Sequence, residues 1–316
     1  MTGPPTLPAP ARRRRSPGAL AAAVAALMAS ACAPAPPEAS AKPLVVVSIF
    51  PIADLVAHVG GSDVRVETLL PPRASPATWE VTPAQVRALA HAAGYITVGG
   101  GLDGWLEGLA TDTPGLRRLR LTDGMELREE AAGHGGGESG NPHVWLDPVL
   151  VRDQLLPRIS GFLQTLVPRD SAGIRERAAA WADTLTRLDG DVRAILASAP
   201  QRAFVSTHDA WVYFAARYGL KPLGSIYESP GHEPSARGLA RLVDLARASG
   251  VHAILAEPQL AGTAGRALAG ELHAEVIVVD PLGGAGIPGR DSYTALLRSD
   301  ARAFARALGA PGGRGS

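Results

Sequence analysis

LVVVSIFPIADLVAHVGG, residues 44–61, holds the architecture in miniature. Its first half, LVVVSIF (44–50), is a continuous apolar run, the composition of a strand covered on both faces. Pro51 then opens a helix and Gly60-Gly61 closes it. A strand buried on both sides and followed at once by a helix is the first unit of an α/β fold with parallel strands.

The same rhythm runs downstream. VRVETLL, a helix N-capped by Thr82, YITV (95–98), a helix around Trp105 and RLRL (118–121) continue it. HGGGESGNP (134–142) reads as an irregular glycine-rich loop. Asp147 and Pro148 start a helix that runs to about Leu166, and Val167-Pro168 ends it. Residues 170–198 form a long helical pattern interrupted only by Gly190. AFVS (203–206), a helix over 235–250, HAILAE (252–257), TAGRALAGELHA and EVIVV (275–279) restore the alternation. In the last helix, from Asp291, Leu296, Leu297, Ala301, Phe304 and Leu308 fall at helical spacing. Right-handed crossovers follow from such alternation. The expected fold is α/β: two lobes with parallel sheets flanked by helices, joined by one long helix, with a ligand cleft between them. The expected division is an N-terminal lobe over 44–168, a connecting helix over 169–199 and a C-terminal lobe over 200–316. The halves share no close sequence repeat.

The first residues read as targeting. Arg12 to Arg15 form a charged block, and Gly18 to Ala31 is a small apolar run too short for the roughly 20 residues of a spanning helix. Residues 1–31 are therefore expected to be a secretory signal peptide. Cys32 is the single cysteine of the chain and directly follows the run, as in a bacterial lipobox, where that cysteine is lipidated. Ordinary cleavage at an A-x-A-like site and twin-arginine export are the alternatives. Residues 32–43, rich in proline and alanine, form a semi-rigid tether. The expected location is the periplasm or cell surface, with a lipid anchor. One cysteine excludes an internal disulfide, so apolar burial must hold the fold. The formal net charge is +1, and Arg12 to Arg15 supply four of its positive charges. Nothing downstream forms a basic block, which excludes nucleic acid as a partner.

Three short stretches carry chemistry. In NPHVWLDP (141–148), Pro142 and the Asp147-Pro148 helix start leave His143 little backbone freedom, as a metal site needs. In STHDAWVYFAARYGL (206–220), His208 follows the strand AFVST at its carboxyl end, where open α/β sheets place ligands. In VVDPLGGAG (278–286), Asp280 stands at the same kind of strand end, where a helix cap or turn role is equally open. Nitrogen and carboxylate donors without thiolate suit zinc or manganese.

SIFPIADLVAHVGG, LLPPRASPATWEVTP, NPHVWLDP, STHDAWVYFAARYGL, EPSA (233–236) and VVDPLGG together resemble the zinc and manganese receptors among ABC-importer solute-binding proteins. The resemblance runs in collinear order from about residue 44 to the C-terminus. It implies a monomeric receptor in which side chains at the lobe interface bind a divalent metal, delivered to an ABC permease and its ATPase. It assigns His143, His208 and Asp280 as metal ligands, and the histidine at 208 favours zinc over manganese. The first ligand histidine of such receptors falls on Ala77, in SPATWEVTP, with Glu80 three residues on as a possible substitute. The histidine-rich loop such receptors often carry is reduced here to His134.

Other readings remain open on the residues alone: a degenerate receptor with another metal or ligand, or a zinc-dependent hydrolase with Glu80 as base. No HExxH helix or nucleophile elbow accompanies the second. Gly99-x-Gly101-x-x-Gly104, with Asp123 roughly twenty residues further on, is formally a dinucleotide fingerprint. It follows a later strand of its half, where a phosphate turn does not belong. Trp79, Trp145 and Trp211 lie beside the candidate positions and either wall the cleft or pack the lobe interface. With histidine ligands, capture is expected to fail as pH falls toward and below about 6.

Overall fold

In the computed structural model, β1 (Leu44–Val47) forms from the apolar run, and all its residues are buried. The strand is shorter than LVVVSIF because Pro51 already belongs to α1 (Phe50–Gly60), which begins one residue ahead of it. The structure describes residues 3, 42–110, 113, 115–129, 140–227, 235–260 and 263–309. The signal segment, the tether with Cys32, His134 and Glu233-Pro234 lie outside the described residues.

The first half continues through β2 (Arg65–Thr68), α2 (Pro83–Ala90), β3 (Gly94–Thr97), α3 (Gly104–Ala110) and β4 (Arg117–Arg120). All pairings are parallel, in the order β2-β1-β3-β4. Pro148–Leu150 then starts a helical run that passes through a π turn at Val151–Leu155 and continues as α4 (Leu156–Leu166). Pro157 explains the turn: it has no N–H to donate, and its ring excludes the carbonyl four residues back. The 27-residue α5 (Ser171–Ala197) is about 40 Å long at about 1.5 Å per residue.

The second half holds β5 (Ala203–Ser206), α6 (Val212–Tyr218), β6 (Lys221–Ser225), α7 (Ala236–Ala248), β7 (Ala253–Ala256), α8 (Thr263–Leu272), β8 (Glu275–Val278) and α9 (Tyr293–Ala307). Its sheet order, β6-β5-β7-β8, repeats the arrangement of the first sheet, again wholly parallel. The repeat is therefore structural although the sequences do not match. β6 escaped the sequence reading because KPLGS carries Pro222 and Gly224. Both are tolerated because the strand lies on the sheet edge, beside an irregularity in the β5 register.

The halves share one core. The largest buried cluster is continuous from Val45 through Trp145 and Leu188 to Phe304. α9 packs along α5 and also reaches α1. The Tyr293 N–H donates to Asp54 Oδ2 at 2.9 Å, and the Tyr293 hydroxyl donates to the Trp145 carbonyl at 2.7 Å. The chain's last helix thus ties the second half back onto the first.

Candidate functional site

The histidine of NPHVWLDP is held by its own neighbour. Asn141 Oδ1 accepts from the His143 backbone N–H at 3.0 Å and contacts ring Nδ1 at 2.9 Å, while Asn141 Nδ2 donates to the Asp209 carbonyl. With the amide orientation fixed this way, Nδ1 is the protonated nitrogen of His143 and Nε2 carries the lone pair. The Asn141 carbonyl also accepts from the Tyr213 hydroxyl at 2.9 Å. The loop that carries His143 is therefore fastened to residues flanking His208, which is why the two meet.

His208 lies past the end of β5, separated from α6 by Asp209, Ala210 and Trp211. Its Nδ1 faces the Glu257 carboxylate at 3.2 Å. The carboxylate accepts, so Nε2 carries the lone pair here too. Glu257 is 3% exposed and follows β7 directly; its backbone N–H donates to Thr207 Oγ1 at 3.2 Å. The two imidazoles stand edge to face with ring centroids 4.9 Å apart. Burial, then the neighbouring His208, holds the His143 pKa well below the ordinary imidazole value. His143 is thus neutral, as a ligand must be, and protons compete for it only at pH values lower than an ordinary imidazole implies.

Both rings border a cavity of about 160 Å³ whose other lining residues include Ser75, Ala77, Leu102, Gln259 and Leu282. Ala77 sits in the short turn Pro76–Thr78. Thr82 starts α2 just beyond it with a reciprocal cap, exchanging hydrogen bonds with Gln85. Glu80 is exposed and does not line the cavity.

Asp280 is nearby but engaged. Oδ1 accepts from Gln259 Nε2 at 2.9 Å and from the Leu282 and Gly283 N–H groups, each at 3.1 Å. Oδ2 pairs with Arg290 at 3.0 Å. Asp280 is 1% exposed and is not part of the cavity wall. The structure therefore brings His143 and His208 together and leaves Asp280 in a separate ion pair. Among the described residues, no three or more His, Cys, Asp or Glu side chains form a ready-made metal cluster.

Sequence reasoning missed Glu257. Its signal was present: a carboxylate at a strand end followed by proline, the same signature as Asp280-Pro281. The indole of Trp145 donates to the Pro281 carbonyl at 2.7 Å across the halves, and Trp145 and Trp211 are buried. Trp145 therefore packs the interface, while the Trp211 ring stacks edge to face on Phe214 and Phe304 within the second half. At the glycine triplet, Gly99, Gly100 and Gly101 all have positive φ. The Asp103 carboxylate accepts from the Val98 and Gly99 N–H groups at 2.6 and 3.0 Å. A carboxylate on those groups occupies what a dinucleotide phosphate would need, so the fingerprint is a turn.

Residues 45–307 match the family model described as zinc-uptake complex component A, periplasmic. The zinc-binding lipoprotein AdcA of Streptococcus pneumoniae is 28% identical over 274 residues, which cover 83% of this chain and 54% of the lipoprotein. The chain thus spans about half the length of that relative. The high-affinity zinc uptake system protein ZnuA of Paracoccus denitrificans is 30% identical, covering 91% of this chain and 97% of its own. A zinc-bound crystal structure of a 138–173 deletion mutant of ZnuA superposes with a TM-score of 0.76 at 31% identity, covering 86% of this chain and all of that one. With two parallel sheets in repeated order and paired histidines between them, the chain belongs to the zinc-uptake complex component A family.

Proposed function

We propose that the chain is an extracytoplasmic receptor that captures zinc between its two lobes and delivers it to an ABC permease and its ATPase. The observation that carries this reading is the His143–His208 pair, each ring turned by an Nδ1 contact so that Nε2 holds its lone pair. Second-sphere acceptors of this kind fix the tautomer of metal-binding histidines. The receptor does no chemistry on the metal. Manganese is the weaker candidate, because two imidazoles favour zinc over an oxygen-preferring ion. His143 and His208 are the ligands, and Asp280 joins them only after release from Arg290. Lipidation at Cys32 anchors the protein.

Calorimetric titration of the purified protein with zinc and manganese tests the reading, beside His143→Ala and His208→Ala. Zinc uptake with one-to-one stoichiometry, lost in both variants, is expected. Zinc uptake unaffected by both substitutions would remove the site from between the sheets.

A further inference from the structure

We infer that the cavity beside the paired histidines accepts a small neutral imidazole-type donor from solution, so that zinc is captured as a mixed complex. The inference rests on the zinc reading of His143 and His208 and names a second component of the cargo.

Three observations carry it. The first is the donor count. Zinc prefers four donors, and the chain brings together two imidazoles. Glu257 is turned onto His208, and both Asp280 oxygens are engaged by Gln259, Arg290 and backbone N–H groups. The second is size. The cavity is about 160 Å³, and an apolar cavity of about 150 Å³ accepts a benzene ring. A five-membered heteroaromatic ring fits.

The third is the lining. Pro76, Ala77, Leu102, Leu260, Pro281 and Leu282 make most of the wall apolar. Ala77, which lines the same cavity as the histidines, contributes a methyl group and no donor. Ser75, Glu257 and Gln259 supply the polar remainder of the wall beside the two histidines, a small share of its area. A charged carboxylate donor would lose its hydration against the same walls. A neutral ring buries its carbon edge there and presents one nitrogen to the metal. The Ser75 hydroxyl borders the cavity and makes no hydrogen bond among the described residues, leaving an acceptor for the ring's other N–H. The same ring arrives on free imidazole or on the amino acid histidine.

Zinc affinity is measured by calorimetry with no additive, with imidazole and with L-histidine, for the natural protein, Ala77→His and Ala77→Leu. Dissolved imidazole competes for zinc, so it weakens binding at a site that cannot accept it. The natural protein is expected to respond in the opposite direction, binding roughly tenfold tighter, about 1.4 kcal/mol. Ala77→His supplies the ring itself, and Ala77→Leu fills the cavity without a donor; both should lose the gain. Tightening by L-histidine as well identifies the free amino acid as an accepted source, and tightening by imidazole alone restricts the cavity to the bare ring. Weakening of the natural protein to the same degree as Ala77→Leu overturns the mixed complex while leaving zinc binding intact. If no protein takes up zinc in any arm, the zinc reading itself falls, and this inference with it.

Discussion

His143 and His208 stand edge to face with ring centroids 4.9 Å apart, although 64 positions separate them and they follow different sheets. Asn141 makes the approach possible by bonding both to the His143 ring and to the Asp209 carbonyl beside His208.

Glu257 orients His208 from behind. Glu257→Gln replaces the charged acceptor with an amide and is expected to weaken zinc binding about 10- to 100-fold, as loss of a second-sphere carboxylate does. Competition against a zinc-chelating dye reads the change. Unaltered affinity would show that Glu257 neither orients the ring nor contacts the metal.

Arg290 holds Asp280 in a buried ion pair. Arg290→Met leaves that carboxylate with its Gln259 and backbone partners and should cost on the order of 2 kcal/mol of stability. A freed Asp280 becomes a zinc donor, so zinc should raise the melting temperature of the variant by more than it raises that of the natural protein. Equal zinc-induced shifts would argue that Asp280 stays out of the site.

His143 sets one side of the pH response. Its folded pKa is lowered, chiefly by burial, so below about 6.5 the unfolded chain gains a proton that the folded chain refuses. The stability from this residue is complete above that value and drains away as pH falls below it. His143→Gln should therefore lose less stability than the natural protein between pH 7 and pH 5 in denaturant titrations. Parallel losses would contradict a neutral buried ring.

Asp300 acts with the opposite sign. Burial raises its pKa well above the ordinary carboxyl value, while its Oδ1 accepts from the Asp280 N–H at 2.8 Å. Above about pH 4 the unfolded chain releases a proton that the folded chain keeps, so folding is increasingly disfavoured as pH rises. Asp300→Asn retains an acceptor oxygen and removes the ionisation. The variant should be more stable by about 1–2 kcal/mol at neutral pH, with the gain vanishing near pH 4. A variant less stable than the natural protein at both pH values would rule this account out.

Trp145 joins the halves through its indole. Trp145→Phe strands the Pro281 carbonyl and should cost about 1–3 kcal/mol, measured as a lower urea midpoint. Loss of that hydrogen bond without a shift in midpoint would mean that the shared core alone holds the halves together.

Much of this molecule was legible in the chain. Proline and glycine punctuation around runs such as Leu44–Phe50, and caps such as Thr82 and Asp147, gave the helices and most strands, because these effects act within a few residues. The positions of His143, His208 and Asp280 at loop and strand ends were legible for the same reason. β6 was not, since an edge strand owes its existence to pairing with β5 and not to its own composition. The π turn needed Pro157 to be weighed against a whole helical run. The roles of Glu257 and Asp280 separated only in three dimensions. Two carboxylates with the same local signature, each at a strand end before proline, met different neighbours: an imidazole for one, a guanidinium for the other. Sequence fixes which groups stand at the strand ends, because that is local backbone chemistry. Which charge each one meets depends on packing between segments distant along the chain, and that was decided by the tertiary structure.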